Sequence, residues 1–145
     1  MPPRKPSITQ AEYETLAAFR RTLRQFLHFS ETAARAAGIA PQQHQALLAI
    51  RGFPGPEPIT IAELADHLQV RHHSAVGLAD RLVKQKLVKR IRQAEDRRRI
   101  HLALTPHGSR VLENLSTLHK DQLRRLIPGL TTALRKLSGL STSRR

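Results

Sequence analysis

Cysteine is absent from all 145 residues, which excludes disulfides, thiolate metal sites, cysteine nucleophiles and any thiol redox switch built on this chain. Tryptophan is absent too, and 4 Phe and 1 Tyr are the only aromatics. No apolar run reaches the roughly 18 residues that a membrane-spanning helix needs, and the opening MPPRKPSITQAEYE lacks the apolar stretch of a signal peptide. The expected location is therefore cytoplasmic, on the nucleoid when bound to DNA. Acidic residues are scarce, 11 against 25 Lys and Arg, for a net charge of +14. Such a surplus predicts a polyanionic partner, most simply double-stranded DNA, with an anionic membrane surface as competitor. At this length the expectation is a single domain, residues 1–145, with one real core. No Ser/His/Asp constellation, phosphate-cradling glycine loop or acid/base carboxylate pair stands out. An enzyme is not expected, nor a cofactor or a metal.

The charge is concentrated. Residues 71–110 hold 11 Lys and Arg against 3 acidic residues, +8 of the total, and the flanking long helices are expected to be close to neutral. Thr9 and Glu12 form a capping box, with Ile8 and Tyr13 as a staple. Apolar residues at Leu16, Phe19, Leu23, Phe26, Leu27, Ala33, Ala34 and Ala37 then hold a helical period until Gly38 stops it. A helix of some 28 residues is about 40 Å long, more than one small core can cover. A second copy of the chain is therefore expected to bury part of its stripe.

Pro41 suits the first turn of a short helix through Ile50, which the loop RGFPGPEP halts. Thr60 and Glu63 form a second capping box that starts TIAELADHL. The next helix begins near His72 and runs to about Lys86, with Val76, Ala79, Leu82 and Val83 expected to face inward. LVKRIR and IHLAL then read as strands, Ile100, Leu102 and Leu104 inward and His101 and Ala103 outward. Between them lies an arginine-rich hairpin tip. Thr105 and Pro106 open a last long helix with Leu112, Leu115, Leu118, Leu123 and Leu126 on its stripe, which Pro128 and Gly129 are expected to break.

Two short helices, a tight turn and a basic hairpin describe a winged helix-turn-helix, residues 41–105. The fold class is mainly α with a small β-hairpin wing, flanked by long dimerisation helices at 8–38 and 106–140. Arg71, His72, His73 and Ser74 crowd the N-terminal end of the second helix, where donors and the positive dipole end meet phosphates and base edges. Arg81 and Lys84 suit backbone phosphates. Gly77 offers backbone approach in place of a side-chain contact. Arg97, Arg98 and Arg99 at the wing tip are long enough to enter a minor groove. His72 and His73 are adjacent and point about 100° apart, which disfavours chelation of one ion.

The segment LVKRIRQAEDRRRIHLALTPHG resembles the wing of MarR-type transcriptional regulators, in which an Asp-Arg-Arg precedes a strand ending in Leu-Thr and a Gly. The matching residues are Asp96, Arg97, Arg98, Leu104, Thr105 and Gly108. The resemblance covers roughly residues 9–140. It implies a homodimer with two winged lobes on a pseudo-palindromic operator, repression released by a small ligand, and a wing arginine oriented by Asp96. The chain departs from the pattern in having Lys86 where the family often has Gly after the recognition helix. The redox-sensing branch places a cysteine early in the first helix; Leu16 and Ala17 stand there.

An effector pocket is read at Phe19, Leu23 and Phe26 with His44 as the polar group, for a small aromatic or anionic ligand that Arg20 or Arg24 would meet. The alternative is that these are ordinary core and dimer residues. A non-specific architectural DNA-binding protein is the competing function, and membrane binding is disfavoured by cations gathered in a hairpin tip rather than along one helix face.

Overall fold

The computed structural model describes residues 1–3, 7–92 and 99–139. The elements are α1 (Gln10–Ala36), α2 (Pro41–Arg51), α3 (Ile61–Leu68), α4 (His72–Lys84), β1 (Val88–Arg92), β2 (Ile100–Leu104) and α5 (Pro106–Ser138). They form two compact units, Glu31–Leu118 and the segments Met1–Ser30 with His119–Arg145. We call these the winged unit and the helical unit.

Local chemistry places most helix ends where the sequence predicts them. The Glu12 N–H donates to Thr9 Oγ1 at 3.1 Å and the Thr9 N–H to Glu12 Oε2 at 2.9 Å, although Ile8 and Tyr13 both remain exposed. At the other end Gly38 takes φ +82°, and the Ile39 N–H closes back on Ala34 O at 3.1 Å. This is the left-handed cap that glycine accommodates without a Cβ clash. Thr60 and Glu63 form the second box as expected.

The core of the winged unit centres on Leu47, Ile59, Leu64, Leu82, Val88, Leu102 and Leu115, each with less than 2% exposure or nearly so. Each such side chain contributes about 1.5–3 kcal/mol of burial. α4 turns Ala75, Leu78, Ala79 and Leu82 inward, while Val76 and Val83 are only half-buried. Of the expected inward face Ala79 and Leu82 stand, while Ala75 and Leu78 take the places expected for the two valines.

The β1–β2 hairpin pairs Val88 with Leu104 through Arg92 with Ile100. His101, expected to face outward, is buried beside Leu102. The reason lies on the far edge of β2, where the Leu102 N–H donates to Ile59 O at 2.9 Å and Thr60 bridges His101. That segment covers the side the alternation left to solvent, and Glu57 Oε2 lies 3.7 Å from His101 Nε2.

α5 runs unbroken through Pro128 for 33 residues, contrary to the expected break. Proline costs its own N–H bond to the preceding turn, yet Leu123, Leu126, Leu130, Ala133 and Leu137 stay in helical phase across it. The N-terminal part of that stripe differs from expectation too: Leu118 is exposed, and His119 is buried in its place. In the helical unit His119 Nε2 lies 2.7 Å from Ser30 Oγ, with the edges of Phe26 and Phe29 on its ring at centroid distances of 5.8 and 5.4 Å.

Of the flanking long helices, α1 carries 4 Arg against 3 acidic residues, a net +1 as expected, whereas α5 carries 6 Lys and Arg against 2, a net +4. The helical unit carries 12 Lys and Arg against 3 acidic residues, a net +9, and the winged unit 13 against 8, a net +5. Acidic residues at 31–70 dilute the basic block of the winged unit, whereas the C-terminal segment has a single one, Asp121.

Candidate nucleic-acid interface

α4 is presented by the turn that precedes it. Gln69 ends α3 in the left-handed region at φ +56°, and the Val70 N–H closes on Ala65 O at 3.0 Å. The turn between the two helices stands as read, but no glycine marks Gln69 as its left-handed residue. Arg71 is the extended N-cap of α4 and no side chain caps the first turn. Arg71, His72, His73 and Ser74 are all exposed around that end, and Arg81 and Lys84 are exposed one to three turns further along. This much of the predicted surface is brought together on one helix.

Two grooves flank α4. One, about 490 Å³, lies against α2 and α3 and is lined by Gln42, Gln45, His67, His73, Ser74, Gly77 and Arg81. Gly77 opens it, since an added Cβ would meet nothing within 4 Å. Gly77→Ala is therefore expected to stabilise the fold by about 1 kcal/mol through helix propensity alone, read as a higher denaturation midpoint in urea. The other groove, about 770 Å³, lies between α3, α4 and the hairpin, and Arg90, Arg92 and Arg99 line it with His72 and Val76.

Arg90 and Arg92 were missed in the sequence. Their signal was present: residues two apart on a strand share a face, and KRIR puts both arginines on one side. Arg90 is also ion-paired with Asp80, which ties the hairpin to α4. Asp80 thus holds one hairpin arginine against α4. Asp96, Arg97 and Arg98 lie outside the described residues, while Arg99 is described and exposed.

The C-terminal end of α4 is held by three contacts. Gln43 Nε2 donates to Gln85 Oε1 at 2.9 Å while its Oε1 accepts from the Ala40 N–H at 2.8 Å. The Thr105 hydroxyl donates to Lys86 O at 2.6 Å, and the Thr105 N–H to Leu87 O at 3.0 Å. Lys86 itself sits at φ +60°, the left-handed geometry its position predicts and one that costs a non-glycine residue roughly 1 kcal/mol.

The residues read as an effector pocket fall in different units. Phe19, Leu23 and Phe26 belong to the helical unit and are half-buried; His44 belongs to α2 of the winged unit and is buried. Phe26 packs edge-on with His119 of its own unit. The signal for His119 was a histidine four residues after Leu115, at a core-facing helical position.

Residues 37–99 match the model of the MarR family. The winged segment is thus similar to the MarR family over 63 of the chain's 145 residues. Over 73 residues the chain is 30% identical to the uncharacterized HTH-type transcriptional regulator YsmB of Bacillus subtilis, a match that covers 50% of each protein. The chain thus spans about half the length of this curated relative. Solved MarR-type structures superimpose over nearly the whole chain. MepR of Staphylococcus aureus in complex with DNA is 20% identical with a TM-score of 0.66, over 92% of this chain and 100% of that one. AbsC, a MarR family transcriptional regulator from Streptomyces coelicolor, is 20% identical with a TM-score of 0.70, over 92% of this chain and 93% of its own. Likeness at that identity establishes the MarR-type fold, a winged helix between long flanking helices. Among the described residues no helix is long and apolar enough to cross a membrane, and no three His, Cys, Asp or Glu side chains are grouped to hold a metal ion.

Proposed function

We propose that this chain is a sequence-specific DNA-binding transcriptional regulator that acts in the cytoplasm as a homodimeric repressor. The observation that carries the reading is the exposed basic surface of α4 and the hairpin. Arg71, Arg81 and Lys84 stand on the helix and Arg92 and Arg99 beside it, with Asp80 committed to Arg90. α4 enters a major groove with His72, His73 and Ser74 toward base edges, and the wing arginines Arg97, Arg98 and Arg99 follow the adjacent minor groove, with Asp96 orienting them. The DNA-bound state of MepR supports this placement by analogy of fold. Dimerisation is supported by exposed Leu123, Ile127 and Leu134, which share one side of α5. A pseudo-palindromic operator follows from two-fold symmetry, and a small aromatic or anionic ligand releases it.

Arg81→Ala tests this most simply. With the fold intact by circular dichroism, affinity for the operator is expected to fall about tenfold, and the salt dependence to shallow by about one phosphate equivalent. Unchanged fluorescence anisotropy titrations at several salt concentrations would show that α4 is not engaged. A second reading, non-specific coating of DNA, is favoured by the +9 charge of the helical unit. It predicts equal affinity for operator and random duplex.

A further inference from the structure

The winged unit leaves most of the positive charge unexplained. On α1, Arg20, Arg21 and Arg24 share a face, since steps of three and four residues return to the same side of a helix. All three are exposed, and none has an acidic partner among the described residues. They stand about half a turn away from Phe26, Phe29 and Ser30, the residues that meet His119. The cationic side therefore faces away from the helix pairing. On α5, Lys120, Arg124 and Arg135 form a comparable exposed row, relieved among the described residues by a loose 3.9 Å contact between Arg124 and Asp121. Like charges at this spacing repel, and a polyanion laid along them relieves the repulsion.

We propose that the helical unit is a second nucleic-acid surface, which holds duplex DNA by its phosphates, without reading sequence, independently of α4 and the wing. Two observations favour a duplex over an anionic membrane. Six of the eight cations among the described residues of this unit are arginine, whose guanidinium matches phosphate bidentately. A helix that lies in a membrane surface keeps its cations and its apolar residues on opposite faces, whereas on α1 the exposed Tyr13, Leu16 and Leu27 lie on the same side as Arg20 and Arg24.

The test uses the full chain carrying Arg71→Ala, Arg81→Ala and Lys84→Ala, which disables the recognition helix, and a random-sequence duplex of about 40 base pairs as probe. Adding Arg20→Glu, Arg21→Glu and Arg24→Glu is expected to lower the remaining affinity at least tenfold and to shallow the log–log salt slope by about 3. The neutral set Arg20→Gln, Arg21→Gln and Arg24→Gln is expected to shift the slope in the same direction, and serves if charge reversal disturbs the helix. Unchanged duplex affinity and slope in both sets would overturn the proposal. So would a loss seen only on vesicles containing phosphatidylglycerol and not on duplex. The recognition-helix reading fails separately, if the α4 alanines alone leave operator affinity unchanged.

Discussion

Gly108→Ala is expected to destabilise the winged unit by about 3 kcal/mol or more, although alanine is the better helix former. Gly108 lies in the first turn of α5, where a Cβ would come 2.0 Å from Leu87 O and 2.9 Å from Leu87 C. Nothing flexible is available to yield, because both obstructing atoms are backbone. Nor can α5 simply shift: the Gly108 N–H donates to Thr105 Oγ1 at 3.0 Å, and that same hydroxyl holds Lys86 O. Moving the helix away loses the cap, worth about 1 kcal/mol by itself, and frees the turn between α4 and β1. Gly129→Ala in the same helix meets nothing within 4 Å and is expected to be neutral or stabilising by up to about 1 kcal/mol. Urea denaturation of the two variants side by side checks the contrast, and a loss below about 1 kcal/mol at Gly108 would contradict the close approach.

The second large effect separates the core of the winged unit from the dimer surface. Leu115 was read as part of a dimerisation stripe, but it is 1% exposed and belongs to the core with Leu82 and Leu102. Leu115→Ala is expected to cost 2–5 kcal/mol, and Leu115→Asn more, because it adds an unsatisfied buried amide. Both should lower the unfolding midpoint rather than yield a folded monomer. Ile127→Glu with Leu134→Glu, at positions 51% and 53% exposed, should retain helicity and melting temperature while halving the mass seen by light scattering. A fully folded Leu115→Asn protein, or a dimer that survives both glutamates, would contradict this division.

What was legible in the sequence is what neighbouring residues decide. Thr9 with Glu12, Thr60 with Glu63, and Gly38 each close a helix end within a few residues, and each stands as read. The misreadings share a cause, which is that a distant segment chose between local options. His101 is buried because residues 57–60 pass along β2 some 40 residues away in sequence, a cover no alternation encodes. The helical phase of Leu123 to Leu137 carries α5 through Pro128, where local propensity alone calls for a stop. On the candidate interface the N-terminal cluster of α4 was visible because charge and helix start coincide. Arg90 and Arg92 were not, because strand alternation puts them on one face without saying that this face borders α4, and the Asp80 pairing joins two elements with no sequence signature.

The central claim is that α4 and the wing read a DNA sequence. In vitro selection of the wild-type protein against a pool of random duplexes tests it most directly, with the pool sequenced after each round. The account predicts enrichment of one inverted repeat whose half-sites lie about one helical turn apart, and loss of that enrichment in Arg71→Ala with Arg81→Ala. A pool that the protein binds but that stays random in sequence through every round would contradict it.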